Sequence, residues 1–185
     1  TRLSYVGERG WELTIPGESA GTVFDALIAA GARPMGHFAL NGCRIEKGYP
    51  HWGHDLGPEV TPLEAGLGFA VDWRKDFIGK ERLEQQRRDG VAQRLVLLSI
   101  SGDPLILHDE PVIEDGVVIG LTTSGAKGVR TGLTLALALV RVTPGGVGVT
   151  DYLAFDTSVA IAAYDAAVQM KAQIVAVIVA VVWTA

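Results

Sequence analysis

Charge is distributed along this chain with a sharp break. Of its 16 basic and 21 acidic side chains, only Arg141, Asp151, Asp156, Asp165 and Lys171 lie beyond Thr131. The C-terminal stretch is rich in Val and Ala and needs a nonaqueous surrounding. Its most apolar run, Ile174–Trp183, is ten residues long, about half of the roughly 20 that a membrane helix requires. Asp165, Gln169, Lys171 and Gln173 interrupt the longer candidate. A buried Val-rich strand is therefore expected there, and no membrane span.

The rest of the composition narrows the class. With 48% hydrophobic and 20% charged residues in 185, the chain is globular and long enough for one or two domains with a real core. A net charge of −5 argues against nucleic acid as partner, because backbone binding needs clustered Lys and Arg. A single cysteine, Cys43, excludes an intrachain disulfide framework and multi-cysteine metal sites. The chain opens at Thr1 in strand-like sequence, so the true N-terminus is expected to lie upstream. No fixed-period repeat is present.

The local patterns predict an α+β order. Leu3–Val6 and Trp11–Ile15 flank Gly7-Glu8-Arg9-Gly10 and predict a hairpin with a four-residue loop. That loop would place Tyr5 opposite Glu12 and Val6 opposite Trp11. Helices follow over 19–30 and 37–47, closed by Gly31 and Gly48. In the second, Phe38, Ile45 and the small Ala39, Gly42 and Cys43 suggest close packing. Residues 50–62 lack a period and read as a loop; 67–71 reads as a short strand. Gly79 precedes a charged helix over 80–89. Composition then shifts near 90–92. Strands are expected over 94–101, 111–114, 117–121 and 133–142, with Asp115-Gly116 as a type I′ turn. The second part reads as a small β-barrel domain.

Several motifs carry less than they suggest. Gly66-Leu67-Gly68 and Gly145-Gly146-Val147-Gly148 do not complete a dinucleotide fingerprint between strand and helix, and there is no P-loop or nucleophile elbow. His51 and His54 lie beside Pro50 and Gly53, so they read as hydrogen-bonding loop residues and no metal site is expected. Cys43 reads as a packing residue, with no base in view to make it a nucleophile. Glu12 admits two readings. It is a solvated strand-face carboxylate, or it is a bidentate acceptor for the paired N–H donors of a pterin-like ring, with Tyr5 beside it to stack.

Tyr5-Val6-Gly7-Glu8-Arg9-Gly10-Trp11-Glu12-Leu13 resembles the Y-x-G-E-x-G-x-E-[LI] hairpin of the glycine cleavage T-protein (aminomethyltransferase) family. Ala39–Asn41, Arg44–Asp55 and Thr61–Leu67 are closer to the folate-binding C-terminal half of dimethylglycine and sarcosine dehydrogenases. Phe77–Lys80 and Gly120–Gly125 also fit, the latter in that family's terminal barrel. The resemblance covers about residues 2–130, and the sequence is atypical beyond that.

The resemblance implies the C-terminal part of an aminomethyltransferase-type folate-binding domain over 1–91, followed by a T-protein β-barrel-like domain over 92–185. It implies a tetrahydrofolate-binding segment of an FAD-dependent demethylase, capturing a one-carbon unit from a small methylated amine. Tyr5, Glu12 and Tyr49 would line the folate pocket, with Glu12 gripping the pterin. FAD would sit in a preceding domain that this segment could contact. The family's catalytic aspartate precedes the hairpin, so no catalytic residue is assigned here, and this segment alone is expected to be inactive. Aminomethyltransferases proper carry an arginine where Leu40 stands, which favours the dehydrogenase branch. The alternatives are an aminomethyltransferase of the glycine cleavage system, or a non-catalytic fragment or scaffold of the same family. The expected compartment is the cytoplasm, or the mitochondrial matrix in a eukaryote.

Overall fold

A computed structural model describes residues 2–3, 5–6, 10–142 and 177–183. Among them, β1 (Arg2–Leu3), β2 (Gly10–Pro16) and β7 (Val177–Trp183) form one sheet in the order β1-β2-β7. β2 runs antiparallel to β1 and parallel to β7, with Gly10 facing Val177 and Pro16 facing Trp183. The expected C-terminal strand is thus present over 177–183. No helix among the described residues is long and apolar enough to cross a membrane.

The first hairpin differs from expectation. Arg2 pairs with Trp11 and Leu3 with Gly10, so Tyr5 and Val6 fall in the connection and Tyr5 is not the cross-strand partner of Glu12. Val6 is only 4% exposed. Burying it draws the chain off the ribbon before the strand can extend. This is a tertiary gain that strand alternation cannot report.

Helices α1 (Ala20–Ala29), α2 (His37–Glu46) and α3 (Lys80–Asp89) lie close to their predicted spans. Gly31 and Gly48 have φ of +94° and +66°, as residues that end helices in the left-handed region should. The stretch 67–71 is not a strand. It closes a 3₁₀ turn over Gly68–Ala70, in which the Ala70 N–H bonds the Leu67 carbonyl and the Val71 N–H that of Gly68.

The second sheet holds the main core. Strands β3 (Gln93–Ile100), β4 (Pro111–Glu114), β5 (Val117–Lys127) and β6 (Thr134–Arg141) are antiparallel in the order β3-β6-β5-β4. Asp115 and Gly116 both have positive φ, +48° and +78°, as a type I′ turn requires. Central β6 is buried on both faces, which explains its nearly unbroken apolar run. Leu135 and Leu137 pack with Ile45 of α2 on one side; Ala138 and Val140 pack with Val96 on the other. Ile45 therefore seats α2 on the sheet, and Gly42 lets it come close. Phe38, expected in that packing, is instead 92% exposed.

Glu46, at the end of α2, accepts hydrogen bonds from the backbone N–H groups of Arg130 and Thr131, at 3.0 and 2.6 Å to Oε1. It caps the turn between β5 and β6 with a carboxylate. Glu46→Ala is expected to lower stability by about 1–2 kcal/mol, measured as a shift in urea midpoint at constant slope.

Candidate functional site

The last turn of α2 puts Arg44 beside Ile45, and packing of Ile45 on the sheet carries Arg44 inside with it. Arg44 is 1% exposed. A guanidinium at that depth needs its N–H groups answered. Nε donates to Asn41 Oδ1 at 3.0 Å, one turn earlier on the same helix face. Nη1 donates to Asp55 Oδ2 at 2.5 Å and to the Tyr49 carbonyl at 3.2 Å. Nη2 donates to Ser124 Oγ at 2.8 Å.

Asp55, 3% exposed, is as fully engaged. Its Oδ2 also accepts the His51 backbone N–H at 2.8 Å. Oδ1 accepts Thr123 Oγ1–H at 2.6 Å and the Ser124 hydroxyl. All four acceptor sites of the carboxylate are occupied. Burial pushes the carboxyl's pKa up, but the Ser124 and Thr123 hydroxyls, the His51 N–H and the Arg44 guanidinium outweigh it and hold the group below the ordinary aspartate range. The cluster joins α2, the 49–55 loop and β5 at one point.

A row of rings crosses its outer edge. Tyr5 lies 6.2 Å from His51 between ring centroids, His51 stacks 6.1 Å from His54, and His54 meets His108 edge-on at 5.0 Å. The Ser124 hydroxyl gives its proton to Asp55, so His54 Nδ1, 3.4 Å from Ser124 Oγ, can take part only as a donor. Burial, with Arg44 next in effect, lowers the His51 pKa. His54 thus hydrogen-bonds through its ring, and His51 through its backbone N–H. Among the described residues no group of three or more His, Cys, Asp or Glu side chains could hold a metal ion. Cys43 lies half-buried on α2.

Of the three residues expected in the pocket, Tyr5 borders this centre through the His51 ring. Its hydroxyl is buried without a hydrogen-bond partner among the described residues. Burial raises its pKa, with opposing effects from Arg44 and Asp55. Tyr49 follows Gly48, 37% exposed, and its carbonyl is held by Arg44. Tyr5 thus packs against His51 of the loop that begins with Tyr49. Glu12 stands half-buried on β2, alongside Val179 of β7, and the strand register does not bring it to Tyr5. Arg44, Asp55, Thr123 and Ser124 were not singled out from sequence. The available signal was an arginine one helical turn from Asn41 in a stretch of small and apolar residues.

The frame is an α+β segment joined to an antiparallel β sheet where Thr123 and Ser124 hydrogen-bond a buried Arg44–Asp55 ion pair, with Tyr5 and His51 beside it. Residues 1–75 match the family model "GCVT N-terminal domain", and residues 93–178 match "Glycine cleavage T-protein C-terminal barrel domain". The chain belongs to the glycine cleavage T-protein family. The barrel-domain match continues well past Arg130, where the recognisable motifs stop. Mitochondrial sarcosine dehydrogenase of Mus musculus is 38% identical over 158 residues, covering 82% of this chain and 17% of that protein. An aminomethyltransferase of Listeria monocytogenes serotype 4a (strain HCC23) is 39% identical over 142 residues, covering 76% of this chain and 39% of that protein. The chain thus spans well under half the length of these relatives. A crystal structure of the glycine cleavage system aminomethyltransferase T from Bartonella henselae superposes with a TM-score of 0.59 at 24% identity, covering 68% of this chain and 36% of that one. At that identity the likeness concerns the fold.

Proposed function

We propose that this chain is the tetrahydrofolate-binding segment of a sarcosine dehydrogenase-like demethylase, in which the released one-carbon unit of a small methylated amine is captured on folate. The observation that carries the reading is the Tyr5 hydroxyl, buried without a partner among the described residues, next to His51 of the loop that begins with Tyr49. A buried hydroxyl left unpaired is costly, which marks Tyr5 as a residue kept for more than packing. In this reading Tyr5 and Tyr49 pack beside the flat ring and the Glu12 carboxylate accepts its paired N–H donors. Residues 1–91 then form the end of the folate-binding domain and 92–185 the barrel domain. The described residues contain no dinucleotide-binding loop, so FAD would belong to a separate flavin domain that this segment contacts. Leu40, where aminomethyltransferases proper carry arginine, supports the dehydrogenase branch. A mitochondrial relative supports the matrix as compartment in a eukaryote.

The second reading, an aminomethyltransferase acting without a fused flavin domain, is supported by the comparable identity to the Listeria protein. Coding sequence upstream discriminates the two: a flavin-binding fingerprint several hundred residues earlier supports the first, a nearby start codon the second.

Isothermal titration of the full-length protein with tetrahydrofolate tests the folate reading. Glu12→Gln is expected to weaken binding by about ten-fold or more, the scale of a hydrogen bond to a charged group. Equal affinity would remove Glu12 from the pocket, and no binding by the wild type would remove folate.

A further inference from the structure

Thr123 and Ser124 are consecutive residues of β5, and in a regular strand their side chains would leave opposite faces of the sheet. Here both hydroxyls reach the same atom, Asp55 Oδ1. The ladder shows how. Thr122 pairs with Ala138 of β6, and Ser124 pairs with the next residue back, Leu137. Thr123 is therefore an extra residue, a β-bulge without a counterpart on β6. Ahead of it, Thr122 Oγ1 donates to the Leu107 carbonyl at 2.6 Å and accepts the Glu110 N–H at 2.9 Å. Behind it, Ser124 turns toward Arg44. The bulge re-aims two adjacent side chains at one oxygen.

Arg44 alone would neutralise Asp55. A single guanidinium N–H on Oδ2 leaves the carboxylate free to turn about its Cβ–Cγ bond. Two hydroxyls on Oδ1 fix its plane. That plane sets the direction in which Oδ2 meets the His51 N–H, and His51 packs against Tyr5. Arg44, held between Asp55 and Ser124, fixes the Tyr49 carbonyl.

We propose that the Thr123 bulge is a positioning device: Thr123 and Ser124, residues of the C-terminal sheet, orient Asp55 and through it the 49–55 loop against which Tyr5 packs. Folate affinity is then set in part by the C-terminal domain. This rests on the folate reading above. Thr123 and Ser124 are positioning residues and touch no ligand themselves.

The test compares Thr123→Val, Thr123→Ser and Ser124→Ala in the full-length protein, by calorimetric titration with tetrahydrofolate well below each variant's thermal midpoint. Thr123→Val keeps the shape and loses the hydroxyl; it is expected to weaken binding by about five- to ten-fold. Thr123→Ser loses the methyl and keeps the hydroxyl, and is expected to restore affinity to within about two-fold even where its thermal midpoint falls below that of Thr123→Val. Affinity would then follow the hydroxyl and not stability. Ser124→Ala is expected to weaken binding at least as much, because Arg44 Nη2 loses its acceptor too. Wild-type affinity in folded Thr123→Val and Ser124→Ala, with the wild type binding tetrahydrofolate, would overturn the positioning role alone. Affinity tracking thermal midpoint, with no rescue by serine, would also overturn it. A wild type that binds no tetrahydrofolate would overturn the folate reading instead, and with it this inference.

Discussion

Arg44→Met is expected to cost about 3–5 kcal/mol of folding stability at neutral pH, because it leaves the Asp55 carboxylate buried without its cation. The aliphatic part of the side chain is retained, so the loss reports charge and hydrogen bonding more than volume. Its pH dependence identifies the cause. In the wild type the Asp55 pKa is depressed. Its contribution is therefore present above the unfolded aspartate value of about 3.9 and is lost as pH falls through the folded value. In the variant the Ser124 and Thr123 hydroxyls and the His51 N–H remain but the cation is gone, so the folded pKa rises relative to the wild type and less stability is lost on protonating Asp55. The stability gap between the two should be widest near neutrality and narrow as pH falls through the carboxylate range. Urea denaturation from pH 7 down to pH 3.5 measures it. A gap independent of pH would mean that packing around Arg44, and not the ion pair, supplies the stability.

Gly42→Val is expected to destabilise by about 1–3 kcal/mol through overpacking. A Cβ at position 42 would stand 2.8 Å from the Lys127 carbonyl oxygen and 3.0 Å from Val129 Cγ2. The first of these belongs to backbone, so the helix must move. Glycine inside a helix costs up to about 1 kcal/mol against alanine, yet the contact with β5 outweighs that gain. Because Arg44 lies two residues further along α2, the same displacement pulls the guanidinium away from Ser124. Thermal unfolding and tetrahydrofolate titration should therefore decline together. Undiminished stability would show that α2 does not depend on this close approach.

How far the sequence reports this structure differs from element to element. Helix α3 was legible because Gly79 and Gly90 bracket a charged stretch, and the β4–β5 turn because Asp-Gly admits positive φ at both positions. Those are local properties, decided within a few residues. The first hairpin was not legible in its register, because the burial of Val6 is a tertiary gain that competes with strand extension. Phe38 was expected to share in close packing with Ile45 and the small residues of the helix, but Ile45 and Gly42 make the contact with the sheet. The Arg44–Asp55 cluster depends on partners far apart in sequence: Asp55 lies in a loop with no period, and Thr123 and Ser124 meet it only because of a bulge. Alternation along 117–127 would have sent those two side chains apart. Tyr5, Glu12 and Tyr49 came from motif resemblance, and the strand register separates Glu12 from the pairing that had linked it to Tyr5.

The parallel pairing of β2 with β7 has a consequence for how the protein is made. Residues 10–16 find their neighbour in residues 177–183, so the intervening chain, including the whole four-stranded sheet, is synthesised before that contact can form. Until then β2 presents one bare edge, a template for pairing with other chains. Pairing of β2 with β7 is thus a late event despite the early position of β2, delayed by the entropy of closing so long a loop. A chain ending before residue 177 would carry all of the four-stranded sheet and still lack the neighbour of β2.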